Sequence, residues 1–225
     1  MQDEAWDFHA FAEAWVKGRV CLHPTDTLLG LSFNPHSLIG AQNFASIKSR
    51  APDKSPISLI ANWDLAVRTW KPLPGPWSQV LQDLWPASLS VIWEASDLCP
   101  KAIIGANGTC GLRLPNWSPD KQWMHELLTK LEAPFPSSSV NLSGQAAIGD
   151  WATAVQFLKA EGKDDMVFIP DLGENQIRVL GEGARLPLPS TLIRIEAGGG
   201  WTMLREGALN RASIQSTWED YAKRS

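Results

Sequence analysis

Apolar and polar positions in this chain change their spacing many times, and each change marks an element boundary. Residues 4–17 are amphipathic at helical spacing up to Gly18, which predicts a first helix. The short apolar run "RVCLH" (19–23), stopped by Pro24, reads as a buried strand. "PTDTLLGLSF" (24–33) begins as a polar turn and becomes apolar. "SLIGAQNFASI" predicts a helix with Ser37 as its cap, "ISLIA" a strand, and "NWDLAVRTW" a helix capped by Asn62. After the loop "KPLPGP" comes a helix to about Leu84, then the strand "SLSVIWEA". The glycine-rich "IIGANGTCG" reads as a loop leading into the strand "GLRLP". "SPDKQWMHELLTKLE" is a helix with Ser118 as cap, and "FPSSSVNLSG" a short strand breaking into a turn. A helix ("WATAVQFLKAEG") and a strand ("MVFIP") follow. "STLIRIEAGGGWTMLRE" is a hairpin turning at Gly198–Gly200, and residues 212–223 form a short helix.

Helices alternate with strands over most of the chain, so the pattern predicts an α/β fold with a mixed, twisted open sheet flanked by helices. No Pro/Gly/Ser-rich linker divides it, so one domain is expected over 4–210, with 211–225 as a tail. The 225 residues are 44% apolar and 20% charged, enough for a packed core. A net charge of −4 makes a chain built globally for nucleic acid the weaker reading, although a local basic patch remains compatible with it. Cys21, Cys99 and Cys110 are odd in number and never spaced CxxC, which argues against a disulfide framework or zinc site and fits a reducing cytoplasm. The acidic, amphipathic start is no signal peptide, and no apolar run approaches the ~20 residues of a membrane helix, so a cytoplasmic protein without membrane contact is expected. Twelve tryptophans against one tyrosine belong mostly to packing.

Familiar sites are absent from the sequence. There is no GxxxxGK[ST] loop, "GANGTCG" is not GxGxxG, and "NLSGQ" is not GxSxG. His9, His23, His36 and His125 show no ligand spacing, so no metal cage is expected. Polar residues next to strand ends remain. Lys48 and Arg50 share one side only if the preceding helix stops near Ile47. Ala51, before Pro52, favours such a stop, and a shared target would be anionic. Two solvated charges at a helix end are the plainer alternative. Thr25, Asp26 and Thr27 offer hydroxyls and a carboxylate, or simply a hydrogen-bonded turn. Arg113 points opposite to its leucine neighbours and needs a partner if covered. Ser139 and Asn141 face the same way if extended, and Ser190 and Arg205 flank the last hairpin. Together these groups supply cations and hydroxyls without a convincing nucleophile–base pair. Such a site binds and orients anions, and could catalyse phosphoryl or nucleotidyl transfer by positioning and charge stabilisation.

These blocks, "GRVCLHPTDTLLGL", "IKSRAPDKSPISLIAN", "LWPASLSVI", "GTCGLRLP", "PFPSSSVNLSG", "LPSTLIRI" and "LREGAL", resemble in order and spacing the YrdC-like threonylcarbamoyl-AMP synthases, whose signature is the K-x-R and S-x-N pair. The resemblance implies one α/β domain around a large basic cavity. It implies a nucleotidyltransferase making threonylcarbamoyl-AMP and pyrophosphate from L-threonine, bicarbonate and ATP. ATP is a substrate, accompanied by magnesium held mainly by phosphates and water, and no tightly bound cofactor is implied. The product would serve N6-threonylcarbamoyladenosine modification of tRNA, completed by a separate transferase complex. Carried over residue by residue, Lys48 and Arg50 would face the ATP phosphates and the developing charge as the catalytic pair. Thr25, Arg113, Ser137 and Ser190 would lie with threonine. Thr109, Ser139, Asn141 and Arg205 would contact the nucleotide.

Four blocks depart from the family pattern. Leu29 replaces the usual tyrosine, and "KSRA" has its proline one place late. "WPASLS" replaces "WPGPLT" at 87, 88 and 90, which is expected to reshape a loop near the triphosphate. "SVN" replaces "SAN", placing Val140 beside the site. The chain ends soon after "REGAL", as in short single-domain members. The rival expectation is a diverged nucleotide- or RNA-binding protein of this fold without synthase activity. Double-stranded RNA is a candidate partner, and such binding would fall steeply with salt.

Overall fold

The computed structural model describes residues 7–48, 55–117, 119, 122–141, 147–160, 163–171 and 188–224. The first half runs α1 (Phe8–Val16), β1 (Val20–His23), β2 (Gly30–Ser32), α2 (Leu38–Lys48), β3 (Ile57–Leu59), α3 (Trp63–Thr69), α4 (Trp77–Leu84) and β4 (Leu89–Glu94). The second half runs β5 (Thr109–Arg113), α5 (Gln122–Leu131), β6 (Phe135–Ser139), α6 (Trp151–Ala160), β7 (Val167–Phe168), β8 (Thr191–Ile195), β9 (Trp201–Arg205) and α7 (Arg211–Ala222). The strands form one mixed open sheet in the order β7-β1-β2-β6-β3-β5-β4-β8-β9. The pairs β1–β7, β3–β5 and β4–β8 are parallel, and the others are antiparallel.

Local chemistry explains the helix starts. The Asp7 carboxylate accepts from the His9 and Ala10 N–H groups, each at 3.0 Å. Ser37 Oγ accepts from Gly40 N at 3.0 Å, and Asn62 Oδ1 from Leu65 N at 3.0 Å. Each satisfies a donor that the first turn leaves open. Gly18, at φ 75°, turns the chain out of α1.

The core divides into two clusters. One gathers Phe11, Trp15, Met124, Leu127 and Phe135. The larger includes Trp70, Trp77, Trp85, Val91, Leu112 and Ile193. Along β1, Val20 and Leu22 join the larger cluster and Cys21 the smaller, so the two lie on opposite faces of the sheet. Each fully buried large side chain contributes about 1.5–3 kcal/mol by leaving water. Two of the buried indoles show how they are paired: Trp70 Nε1 donates to Cys110 O at 3.1 Å and Trp85 Nε1 to Leu89 O at 2.9 Å. All three cysteines are unbridged and buried. The helix α7 docks on α4, where Tyr221 Oη donates to Asp83 Oδ2 at 2.7 Å. Trp77 and Trp218 both donate to Gly199 O, tying α4 and α7 to the hairpin turn.

One boundary differs from expectation. The strand β5 begins at Thr109, inside the expected glycine-rich loop, because Thr109 and Cys110 pair with Glu94 and Trp93 of β4. The helix α2 ends at Lys48, near the expected stop at Ile47, and the Lys48 amine finds acceptors on another element. Residues 4–6, the expected cap Ser118 and Arg50 lie outside the described residues.

Candidate functional site

The β-strands place side chains on alternating sides, and one side of several strands surrounds a cavity of about 560 Å³. Thr109, Gly111 and Arg113 of β5 line it in register, as do Ser190, Leu192 and Arg194 at β8. Gly111, between Thr109 and Arg113, leaves room for the Ile57 side chain of the neighbouring strand. Among the described residues, three arginines line the cavity, Arg113, Arg194 and Arg205, and no lining residue is acidic.

Arg113 ends β5 and is 5% exposed. Its Nη2 lies 2.8 Å from Asp26 Oδ1, and Nη1 donates to Thr27 Oγ1 at 3.3 Å. The ion pair is close but poorly aligned: Asp26 Oδ1 and Arg113 Nε have no hydrogen-bond partner among the described residues. Burial pushes the Arg113 pKa down, Asp26 pushes it up, and Arg205 lowers it further. A guanidinium left partly unpaired under cover is a costly arrangement that a second carboxylate would relieve.

Thr25 shapes the turn that carries this pair. Its hydroxyl accepts from Thr27 N and Leu28 N, both at 3.0 Å, and donates to Leu28 O at 2.7 Å. Thr25 also lines the cavity, so one residue closes the turn and borders the site. On the opposite wall, Arg205 donates through Nε and Nη2 to Ser190 O at 3.1 and 2.9 Å. Burial lowers the Arg205 pKa. Ser190 Oγ lies 2.9 Å from Ser90 Oγ. Thr109 donates to Asn107 Oδ1 at 2.7 Å.

The K-x-R and S-x-N segments meet. Lys48 is 3% exposed, and its Nζ donates to Ser139 O at 2.5 Å, Asn141 O at 2.7 Å and Asn141 Oδ1 at 2.6 Å. Ser139 Oγ donates to the same Asn141 Oδ1 at 2.9 Å. Ser137 and Ser139 line the cavity, and Lys48 and Asn141 stand behind that wall. Of the expected residues, Thr25, Thr109, Arg113, Ser137, Ser139, Ser190 and Arg205 therefore border one cavity.

The departures resolve into particular contacts. Leu29 is buried and lines the cavity. Val140 is fully buried in the larger apolar cluster rather than beside the site, since it faces the core one residue after Ser139. Ser88 Oγ donates to Asp26 Oδ2 at 3.1 Å, and Ser90 supplies a hydroxyl to Ser190. Sequence reasoning overlooked Ser88, Ser90, Arg194 and His23. The period of two, continued from Ser190 along β8, reaches Arg194. The His23 ring lies against Ser137 from the end of β1, and nothing in its spacing signals that.

Comparison with known proteins finds relatives of this chain and of its fold. The Sua5/YciO/YrdC family model, described as "Telomere recombination", matches residues 13–207. A threonylcarbamoyl-AMP synthase of Pyrococcus abyssi is 25% identical over 180 residues, covering 78% of this chain and 49% of that protein, so the chain spans about half its length. One from Pseudomonas fluorescens is 25% identical over 169 residues, 75% of this chain and 88% of its own. Among solved structures, P. abyssi Sua5 complexed with L-threonine superimposes with a TM-score of 0.75 at 23% identity, over 93% of this chain and 56% of that one. E. coli YciO gives 0.67 at 18% identity, over 92% of each chain. At these identities the superpositions establish the fold.

Proposed function

Because this chain belongs to the Sua5/YciO/YrdC family, we propose that it is a threonylcarbamoyl-AMP synthase acting on L-threonine, bicarbonate and ATP. The observation that carries this is Arg113, a buried guanidinium with an unpartnered Nε among the described residues, lining a hydroxyl-rich cavity. Arg113 receives the threonine carboxylate, and Asp26 keeps its charge compensated before the substrate arrives. Ser137 and Ser190 border the same amino acid. Arg205, Thr109 and the Ser139–Asn141 segment receive the nucleotide. Lys48 holds that segment in place and lends it positive charge, and Arg50, outside the described residues, is assigned to the phosphates by the family motif alone.

The chemistry then needs no protein nucleophile. The threonine amine captures bicarbonate as a carbamate, with loss of water. A carbamate oxygen attacks the α-phosphorus, and pyrophosphate leaves. Holding three reactants in one cavity supplies the positioning, and fixed cations stabilise the charge that develops. Magnesium enters with the nucleotide, held by phosphates and water. The product is a carrier for threonylcarbamoyl modification of tRNA adenosine by a separate transferase. Among the described residues no helix is long and apolar enough to cross a membrane.

Pyrophosphate release with each substrate omitted in turn tests the proposal. Release that requires threonine and bicarbonate together is the expected result. ATP turnover indifferent to threonine, or nucleotide binding with no turnover, would replace the synthase by a diverged nucleotide binder.

A further inference from the structure

His23 takes no part in the scheme above, yet it is fully buried against the cavity wall. It ends β1 opposite Gly30 of β2, and Gly30 lies opposite Ser139 of β6. The imidazole packs edge-on against Phe135, with centroids 4.8 Å apart. Nδ1 lies 2.8 Å from Pro24 O, and Nε2 lies 3.2 Å from Ser137 Oγ. The space for that second contact exists because residue 30 is glycine: a Cβ there would sit 2.6 Å from both His23 Nε2 and Ser137 Oγ.

The direction of both bonds follows from chemistry. A carbonyl oxygen only accepts, so Nδ1 carries the ring proton. Burial, and to a smaller extent Arg113, hold the ring pKa at about 4 against the upward pull of the Pro24 carbonyl, so the imidazole is neutral at pH 7. A neutral ring has one N–H, which leaves Nε2 as an acceptor. Ser137 must then donate its hydroxyl proton to His23. What Ser137 turns toward the cavity is its lone pairs.

We propose that His23 is a positioning residue that makes Ser137 a fixed hydrogen-bond acceptor, which selects an N–H or O–H donor of the amino-acid substrate. This rests on the synthase reading for the identity of that substrate. Arg113 offers only donors and Ser137 only an acceptor, with β3 between their strands. The two ends of the amino acid are thereby distinguished: carboxylate toward Arg113, amine or side-chain hydroxyl toward Ser137. A carboxylate oxygen placed at Ser137 would meet lone pairs and lose a partner.

The tautomer is measurable without a ligand. Long-range proton–nitrogen NMR of the four histidines should show His23 neutral and protonated on Nδ1 at pH 7. An Nε2-protonated or charged ring would overturn the proposal. Calorimetry then reads function. His23→Phe keeps an aromatic ring beside Phe135 but removes the acceptor, and it should weaken L-threonine about tenfold while leaving ATP within twofold. Ser137→Ala should lose at least as much. The double variant should be no worse than Ser137→Ala, because His23 acts through Ser137. Should His23→Phe fail to fold, Gly30→Ala crowds the same contact from the middle strand and should give the same threonine-selective loss. L-2-aminobutyrate, which lacks the hydroxyl, separates the two donors. If it weakens in parallel the amine is read, and if it is untouched the hydroxyl is read; either supports the proposal. Threonine affinity unchanged in His23→Phe, or losses that add in the double variant, would overturn it and leave the synthase reading standing. Wild-type protein that binds no amino acid would overturn both.

Discussion

Lys48 and Arg113 are both buried cations, Lys48 behind the cavity wall and Arg113 lining the cavity, and their surroundings differ. The Lys48 amine has three oxygen acceptors within 2.7 Å, all from the Ser139–Asn141 segment. Arg113 has one misaligned carboxylate and one long contact to Thr27, and its Nε is unpartnered among the described residues. A buried charge whose donors are all used is part of the framework. A buried charge whose donors are partly unused is prepared for something else to arrive. The family's motifs can thus contain a cation whose donors are used within the protein and a cation with a donor left over, and burial alone does not separate them.

Removing each cation should therefore fail in a different way. Arg113→Ala should lower kcat/KM for threonine by about 10²–10³-fold, the scale of losing one preorganised charged partner, measured by threonine-dependent pyrophosphate release. Lys48→Met takes the shared donor from the Ser139 and Asn141 carbonyl oxygens and should cost about 2–4 kcal/mol of stability, read by urea unfolding. Two cations facing an empty pocket would instead gain stability when one is removed, so a rise in stability would return Lys48 to the binding side of the comparison.

Gly30→Ala probes the contact behind Ser137 on the cavity wall. The added methyl meets His23 and Ser137 at 2.6 Å and should cost about 1–3 kcal/mol, with unfolding midpoints as the readout. The smallest effect calibrates the rest. Asp150 accepts from Thr153 N at 2.7 Å at the start of α6, away from the cavity. Asp150→Ala should cost about 1 kcal/mol at pH 7 with no change in ligand affinity. Its carboxyl is held below its usual 3.8 mainly by the Thr153 hydrogen bonds. That stabilisation is therefore present above pH 3.8 and is lost as pH falls through the lowered value, so the variant and wild type should converge in acid.

Much of the fold was legible because the elements are local. The runs "SLSVIWEA", "FPSSSVNLSG" and "STLIRI" located β4, β6 and β8, and the side-chain caps Ser37 and Asn62 located two helix starts. The partner of Lys48 was not legible, because the contact is long-range: Lys48, at the end of α2, reaches Asn141, 93 residues away. The site was legible as a set of residue types, since hydroxyls and cations at strand ends announce an anion site. How those residues are partnered was not legible. The Arg113–Asp26 pair depends on β5 lying near the turn after β1, 86 residues away in the case of the Thr27 contact. His23 looked like an isolated histidine because Ser137, its partner, lies 114 residues further on.

The central claim is that Arg113 is the unsatisfied member of the pair because it receives a carboxylate. Calorimetric titration of L-threonine and of ATP into wild type and Arg113→Lys tests this most directly. Lysine keeps the charge and loses the planar fork that matches a carboxylate. Threonine should weaken by about tenfold or more, on the scale of ~1.4 kcal/mol per factor of ten, while ATP stays within twofold. Equal losses for both ligands, or threonine affinity unchanged, would contradict it.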